Sequence, residues 1–375
     1  MEEFQPVIPQ ETYAHVDALR RDIADVFIVY DTTLDYPEKG YVRFRGRFLI
    51  APVDSFETLR RRFERHGFTP TVSEEGGYTI LVALPVVFDH PRSRWWINVL
   101  LYLATILSTL FVGAYYETGS LEIAINHLWL GWPFSFGVML ILTAHELGHY
   151  FAARHHGVPV TLPYFIPMPI SLFGTFGAFI RLQGPMNNRR ALFDIGAAGP
   201  LAGLVFALPV LFYGLATSDL GSIPPNAGFE GNSLLYLLAK FAVFRRVLPG
   251  DGIDVFLNQA AMAGWVGLFV TGLNLLPVGQ LDGGHVAYSL FGKGAQAFYW
   301  PTLIGLGIIT LYSYVQGIFV PTWLLWMALL FFLGRVHARP LEDMTELDPV
   351  RRVLAVFTLA LFFLVFVPLP FAGVG

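Results

Sequence analysis

Thr143-Ala144-His145-Glu146-Leu147-Gly148-His149-Tyr150 lies inside an apolar run from Phe134 to Ala153. Side chains four residues apart share one face of an α-helix, so His145 and His149 present two imidazoles to a common point. Glu146 stands beside them, which completes the H-E-x-x-H arrangement in which two histidines bind zinc and the glutamate serves as base. The same motif occurs in soluble proteins on helices with a solvated face, but here the helix is apolar almost all round. A strongly polar trio at membrane depth is costly and marks function. The stretch therefore sets two expectations: a membrane-spanning helix, and part of a metal site on it.

Composition supports the first. Of 375 residues, 54% are hydrophobic and only 14% are charged, which is the balance of a polytopic membrane protein. A net charge of −4 argues against a nucleic-acid partner. There is no cysteine, so thiolate ligands and disulfides are excluded and a metal must be held by His, Asp, Glu or Asn. The start Met1-Glu2-Glu3 is acidic and polar, so no cleavable signal peptide is expected.

Residues 1–94 carry 15 of the 28 acidic and 12 of the 24 basic residues and read as a small soluble α+β domain. Tyr13, Val16, Leu19, Ile23 and Val26 form a helical stripe within Gln10–Val26. Strands are expected at Val26–Tyr30 and Tyr41–Ile50, the latter alternating Val42 and Phe44 with Arg43, Arg45 and Arg47. Asp54 with Glu57 suggests a capping box opening a helix that stops near Gly67. Thr69–Ser73 and Tyr78–Val87 flank Glu74-Glu75-Gly76-Gly77, a hairpin signal. The domain reads as regulatory or substrate-gating, or as a plain solvated anchor.

Residues 95–375 read as the membrane-embedded domain. A spanning helix needs about 20 apolar residues, and Trp96–Tyr115 qualifies. Arg92, Arg94 and Arg154 place the N-terminal domain and the end of the motif helix on the cytosolic side, because positive residues favour it. Val158–Leu182 is apolar but broken by Pro159, Pro163, Pro167, Pro169, Gly174 and Gly177, so a re-entrant loop or β-hairpin near the motif helix is expected. An edge of such an element can pair with an extended peptide. Ala191–Tyr213 is the next span, and its Gly196–Gly203 small-residue run reads as packing. Ser218–Gly231 reads as an external loop. Ser233–Val247 is short for a span, and Lys240, Arg245 and Arg246 break the charge rule if it lies outside.

Phe256–Leu276 is read as a further span leading into Asn274-Leu275-Leu276-Pro277-Val278-Gly279-Gln280-Leu281-Asp282-Gly283-Gly284-His285. Pro277 and the glycines unwind the chain, so Asp282 can turn back toward the bilayer. Two histidines and a carboxylate would leave a fourth zinc position for water. Asp194 is the second choice for the third ligand; its plain reading is an acid favoured near a helix N-terminus. His285 reads as a group orienting the site or as a packed polar residue, whereas His127, His155, His156, His337 and His90 read as interfacial. Spans are also expected near Phe298–Tyr314, Phe319–Gly334 and Val353–Leu369, with Leu341–Asp348 as a short exposed acidic linker. The total is about six or seven transmembrane helices.

H-E-L-G-H followed by N-L-L-P-V-G-Q-L-D-G-G resembles the site-2 protease family of intramembrane zinc metalloproteases, peptidase family M50. The match to N-x-x-P-x-x-x-x-D-G falls on Asn274, Pro277, Asp282 and Gly283, and the resemblance covers roughly 95–300. The long Ser218–Asp254 insertion and the Pro-rich hairpin look closer to the prokaryotic and plant plastid branch, without a PDZ domain. The resemblance implies one zinc ion held by His145, His149 and Asp282, Glu146 as general base toward a zinc-activated water, and Asn274 holding substrate or oxyanion. It also implies membrane-protein substrates, single-pass or other, cleaved in or near their transmembrane segments. Together with the charge pattern this gives a multi-pass protein of the cell membrane with its active site toward the cytosol. A zinc transporter would need a polar path through the bilayer, and the chain offers one cluster on one side. A non-enzymatic membrane module would not need Glu146.

Overall fold

Alternation of Val42 and Phe44 with three arginines makes a strand with one buried face, and the computed structural model shows what that face meets. It describes residues 10–88, 94–223, 229–316, 321–335, 337 and 339–372. Arg92, His90 and the first residues of the span expected from Phe319 lie outside the described residues. The chain forms two units: Met1–Pro91 with Gln183–Arg190 and Arg339–Leu347, and the remainder.

The first unit contains α1 (Gln10–Ile23), β1 (Phe27–Leu34), β2 (Val42–Phe48), α2 (Pro52–Glu64), β3 (Thr69–Glu75) and β4 (Tyr78–Leu84). The strands form an antiparallel sheet in the order β1-β2-β4-β3. Val42, Phe44, Val72, Leu81 and Ala83 share a core with Leu19, Ile23, Leu59 and Phe63 of the two helices. Gly76 and Gly77, at φ +59° and +78°, close the β3–β4 hairpin with the two consecutive left-handed residues that a tight turn of this hand requires. The capping box at Asp54 does not form. The α2 helix starts at Pro52 on an Ala51 N-cap that makes no side-chain hydrogen bond, because Pro at the first helical position presets φ and has no N–H to satisfy.

Leu341–Asp348 is not an exposed linker. Leu341, Glu342 and Asp343 are buried, and the backbone joins the free edge of β3: Val72 N–H donates to Leu341 O at 2.6 Å and Asp343 N–H to Val72 O at 3.0 Å. A second segment lies beside the first, with Leu341 N–H donating to Met186 O and Glu342 N–H to Asn187 O at 2.8 and 2.9 Å. Side chains reinforce both additions: Arg189 pairs with Asp343 at 2.8 Å, and Arg60 of α2 donates to Asn187 Oδ1 at 2.9 Å. Glu342 Oε1 accepts from the Met344 and Thr345 N–H groups. Asp343 and one carboxylate oxygen of Glu342 thus meet internal partners, which offsets the cost of burying them.

The second unit is mostly helical. It begins with α3 (Trp95–Thr118), α4 (Leu121–Asn126) and α5 (Trp132–His155), followed by a hairpin of β5 (Tyr164–Pro167) and β6 (Thr175–Phe179). Then come α6 (Arg189–Ala216), β7 (Asp219–Ser222), β8 (Phe229–Glu230), α7 (Leu234–Phe244), β9 (Ile253–Phe256) and α8 (Gln259–Asn274). The chain ends with α9 (Asp282–Phe291), α10 (Tyr299–Val315), α11 (Pro321–Leu333), α12 (Pro349–Val365) and β10 (Phe371–Ala372). Among the described residues, four stretches are long and apolar enough to cross a membrane: Trp95–Thr118, Leu128–His155, Arg189–Ala216 and Asp282–Val315.

The other expected spans correspond to shorter apolar helices, and the reasons are local. The apolar run Phe256–Leu276 is divided: its first residue belongs to β9, and Asn258 caps α8 by accepting from Ala261 N–H at 2.9 Å. That leaves 16 helical residues in α8, with 17 in α12 and 13 in α11. Lys240 does not weigh in the charge pattern as a free cation. It is fully buried, 3.1 Å from Asp254, with the Tyr236 ring beneath its ammonium.

The hairpin in Val158–Leu182 is present and is gripped from one side by α3. Asn98 Nδ2 donates to the carbonyls of Leu162 and Pro163, Ser108 Oγ to Gly174 O, and Tyr116 OH to Leu172 O. These bonds satisfy irregular backbone inside an apolar environment. At the edge of the first unit, Leu341 fills the core between α2 and β3, so Leu341→Ala should cost about 3 kcal/mol of local stability. Hydrogen exchange then reads a Val72 amide that exchanges on the order of 100-fold faster, with the amides of α5 unchanged.

Candidate metal centre

The centre is assembled where α5, α6, α8 and α9 meet. Helical spacing on α5 brings His145 and His149 together, with their Nε2 atoms 3.1 Å apart. Asp282 enters from the first turn of α9, after Pro277 and Gly279 have turned the chain out of α8. Its Oδ2 lies 3.3 Å from His145 Nε2 and its Oδ1 lies 3.3 Å from His149 Nε2. Asn274, the last residue of α8, puts Nδ2 3.2 Å from His145 Nε2. His145, Glu146 and His149 are all buried. His145, His149 and Asp282 are the one set among the described residues whose donor atoms converge as metal ligands do.

Three observations test whether a metal fits. First, His149 Nδ1 donates to Ile195 O at 2.6 Å, which leaves a lone pair on Nε2 in the neutral ring and aims it at the cluster. The two Nε2 atoms lie 3.1 Å apart and each is 3.3 Å from one oxygen of Asp282, a convergence of donors that suits a shared cation. Secondly, tetrahedral zinc with bonds of about 2.0–2.1 Å separates its ligand atoms by roughly 3.3 Å, which is the observed spacing. Thirdly, α6 leaves room. A Cβ on Gly199 would fall 2.1 Å from His149 Nε2, and one on Gly203 would fall 3.3 Å from His145 Nδ1. The donor set therefore fits a small divalent cation, and His/His/Asp suits zinc.

The glycines of α6 are what the sequence reading underrated. Gly196, Gly199 and Gly203 face His285, His149 and His145 in turn, and Gly148 of the motif itself abuts the Ala198 carbonyl. Their signal was present as a small-residue repeat at helical spacing, but such repeats serve packing anywhere in a membrane protein.

Asp194, the alternative ligand, is elsewhere. It is held by Nε and Nη2 of Arg351 and by His156 Nε2 at 2.7 Å, and Nη1 of Arg351 reaches Asp348, the N-cap of α12. His156 is thus half-buried in an ion network that joins α5, α6 and α12. His285 and His337 meet each other, Nδ1 to Nε2 at 2.9 Å, and His337 stacks on Tyr288. The interfacial reading of His337 gives way to a packed one.

Beside the ligands lies a cavity of about 440 Å³, bordered by His145, Glu146 and Asn274 and otherwise almost wholly apolar. Thr175–Ala178 of β6 line it, as do Phe269 of α8 and Leu325 and Trp326 of α11. The Ile180 backbone N–H, just beyond β6, faces the Glu146 carboxylate.

The sequence profile described as peptidase family M50 matches residues 133–299, the part of the chain that contains His145, Glu146, His149, Asn274 and Asp282. The chain is 30% identical over 98% of its length to the probable chloroplastic zinc metalloprotease EGY2 of Arabidopsis thaliana, of which it covers 66%. It is 34% identical over 63% of its length to the probable chloroplastic zinc metalloprotease EGY1 of the same plant, of which it covers 42%. The rice EGY2 protein is 28% identical over 97% of the chain. The chain thus spans about two thirds or less of the length of these relatives. No solved structure matches it.

Because the Gly199 position is occupied by the ligand ring, Gly199→Ala should abolish metal retention, to below about a tenth of the parent. Elemental analysis of the purified protein reads this, with His145→Ala as the positive control and circular dichroism showing retained helix. Gly203→Ala, whose Cβ would press on His145 at 3.3 Å rather than overlap it, should lose less.

Proposed function

We propose that this chain, which belongs to peptidase family M50, is an intramembrane zinc metalloprotease that hydrolyses peptide bonds in or near the transmembrane segments of other membrane proteins. The observation that carries the reading is the convergence of His145, His149 and Asp282 beside Glu146, on the wall of an apolar cavity. A transporter needs polar groups on both sides of its site, whereas this cavity is apolar apart from the cluster.

His145 and His149 would hold zinc through Nε2, and Asp282 through its carboxylate. Zinc bound there supplies Lewis acidity, which lets water act as a nucleophile near neutral pH. Glu146 follows His145 on the same helix and borders the cavity, so its carboxylate takes the proton from the attacking water and returns it to the leaving amine. Asn274 Nδ2 points at the same locus and donates to the oxyanion that forms at the scissile carbonyl. Apolar walls exclude bulk water, which strengthens each of these interactions.

A substrate helix hides its carbonyls in its own hydrogen bonds, so it must unwind to be cut. The β6 strand borders the cavity while α3 holds the carbonyls around the hairpin, leaving β6 to pair with an extended substrate. Re-entry of this hairpin into the bilayer, a multi-pass placement in the cell membrane with the site toward the cytosol, and a soluble cytosolic N-terminal domain complete the reading. Its substrates are membrane proteins with apolar spans, in the manner of regulated intramembrane proteolysis.

Cleavage of a co-expressed single-span substrate tests this. Glu146→Gln should lower cleavage on the order of 10²–10⁴-fold while zinc content stays at the parent level. Equal processing by both proteins, with zinc bound, would rule out the proteolytic mechanism. Asn274→Ala should lower turnover on the order of 10²-fold with little change in KM, read from initial rates on a peptide series.

A further inference from the structure

Ile195 and Gly199 stand one helical turn apart on α6, so they share a face, and the ring of His149 lies against both. Its Nδ1 donates to the Ile195 carbonyl at 2.6 Å, and a Cβ at Gly199 would fall 2.1 Å from its Nε2. The residue between, Gly196, backs onto α9: a Cβ there would fall 2.7 Å from His285 Cβ and 3.4 Å from the Asp282 carbonyl oxygen. One turn of α6 therefore bears on two of the three ligand residues. A slide or rotation of α6 moves the Ile195 carbonyl and the Gly199 backbone together, so the register of α6 on α5 sets both the tautomer and the place of the His149 ring.

Packing alone defines that register poorly. The facing surfaces are small: Gly148 of α5 lies against the Ala198 carbonyl and the Ala202 methyl of α6. Contacts of this kind allow close approach, but each is weak and none is directional. Directional bonds come from the residue before Ile195. Asp194 Oδ1 accepts from Arg351 Nε at 2.8 Å, and Oδ2 accepts from Arg351 Nη2 and His156 Nε2 at 2.6 and 2.7 Å. Both partners are anchored on other helices. His156 is the C-cap of α5, the helix that carries His149. Arg351 sits in the first turn of α12, where its Nη1 also reaches Asp348 Oδ2 at 2.6 Å. A two-point guanidinium–carboxylate fork fixes angle as well as distance. Adjacent residues of α6 thus receive two histidines of α5, His156 on Asp194 and His149 on Ile195.

We propose that Asp194 and Arg351 are positioning residues of the metal centre: their fork holds α6 in the register at which the Ile195 carbonyl meets His149, and so sets the affinity of the site for zinc. Neither residue belongs to the ligand set or borders the cavity. The proposal rests on the reading of His145, His149 and Asp282 as zinc ligands, and its test needs no catalysis.

Zinc affinity is measured on the full chain in nanodiscs by competition with a chelator. Arg351→Gln should weaken it on the order of 10–100-fold, the range for losing a group that orients a metal-bound histidine. Arg351→Lys keeps the charge but not the fork, and its affinity should fall between those of Arg351→Gln and the parent. Asp348→Ala takes away the N-cap of α12 but leaves the fork on Asp194, and should bind zinc within about twofold of the parent. Cobalt(II) in place of zinc reports ligand geometry through its visible bands; these should shift in Arg351→Gln and stay in place in Asp348→Ala.

Parental zinc affinity in Arg351→Gln overturns the proposal. So does an equal loss in Asp348→Ala, which would make the network a support of α12 alone. If circular dichroism shows that Arg351→Gln has lost its helix, Arg351→Lys decides: parental affinity and unshifted cobalt bands there overturn the proposal. A parent that binds no zinc brings down the metal-centre reading and this inference with it, whereas a zinc-binding parent with unchanged variants brings down the inference alone.

Discussion

Everything in the membrane unit follows from the cost of keeping two imidazoles and two carboxylates out of water. An isolated charge in such surroundings is expensive by many kcal/mol. The ligand set survives because His145, His149 and Asp282 each have an assigned neighbour. His149 is fixed by the Ile195 carbonyl, Asp282 faces both histidines, and Asn274 borders His145. Packing supplies the other half of the constraint. Only glycine at 199 leaves room for the His149 ring at its observed place, so α6 and α5 approach at a distance set by the ligand and not by the lipid.

How much of this could be read from sequence depended on range. The histidine pair is local, since helical periodicity alone puts positions 145 and 149 on one face. Asp282 was reachable because Pro277 and the glycines announce an unwound turn at the end of an apolar segment. The glycines of α6 were visible but ambiguous, since small residues at helical spacing say that something approaches closely and not what. Helix lengths were misjudged where a strand and a helix adjoin without a polar break, as at Phe256 and Asn258; hydropathy does not distinguish the two.

The added strands of the N-terminal unit were out of reach for a different reason. Leu341-Glu342-Asp343 is too short to show alternation, and two of its three residues are acidic. Its strand character comes from an edge some 270 residues earlier in the chain, at Val72. The burial of Glu342 likewise depends on backbone N–H groups supplied by its own turn. Lys240 is also met by a partner its own helix does not supply, Asp254.

That distant pairing has a consequence for biogenesis. At elongation rates of about 5–20 residues per second, β3 emerges from the ribosome roughly 15–50 s before the segment that covers it. Throughout that interval Val72 presents an unsatisfied N–H and C=O on an open sheet edge, the kind of surface that recruits foreign strands. The N-terminal sheet reaches its final form only after most of the membrane helices have been made. Its completion therefore reports that the chain has been threaded through to residue 343.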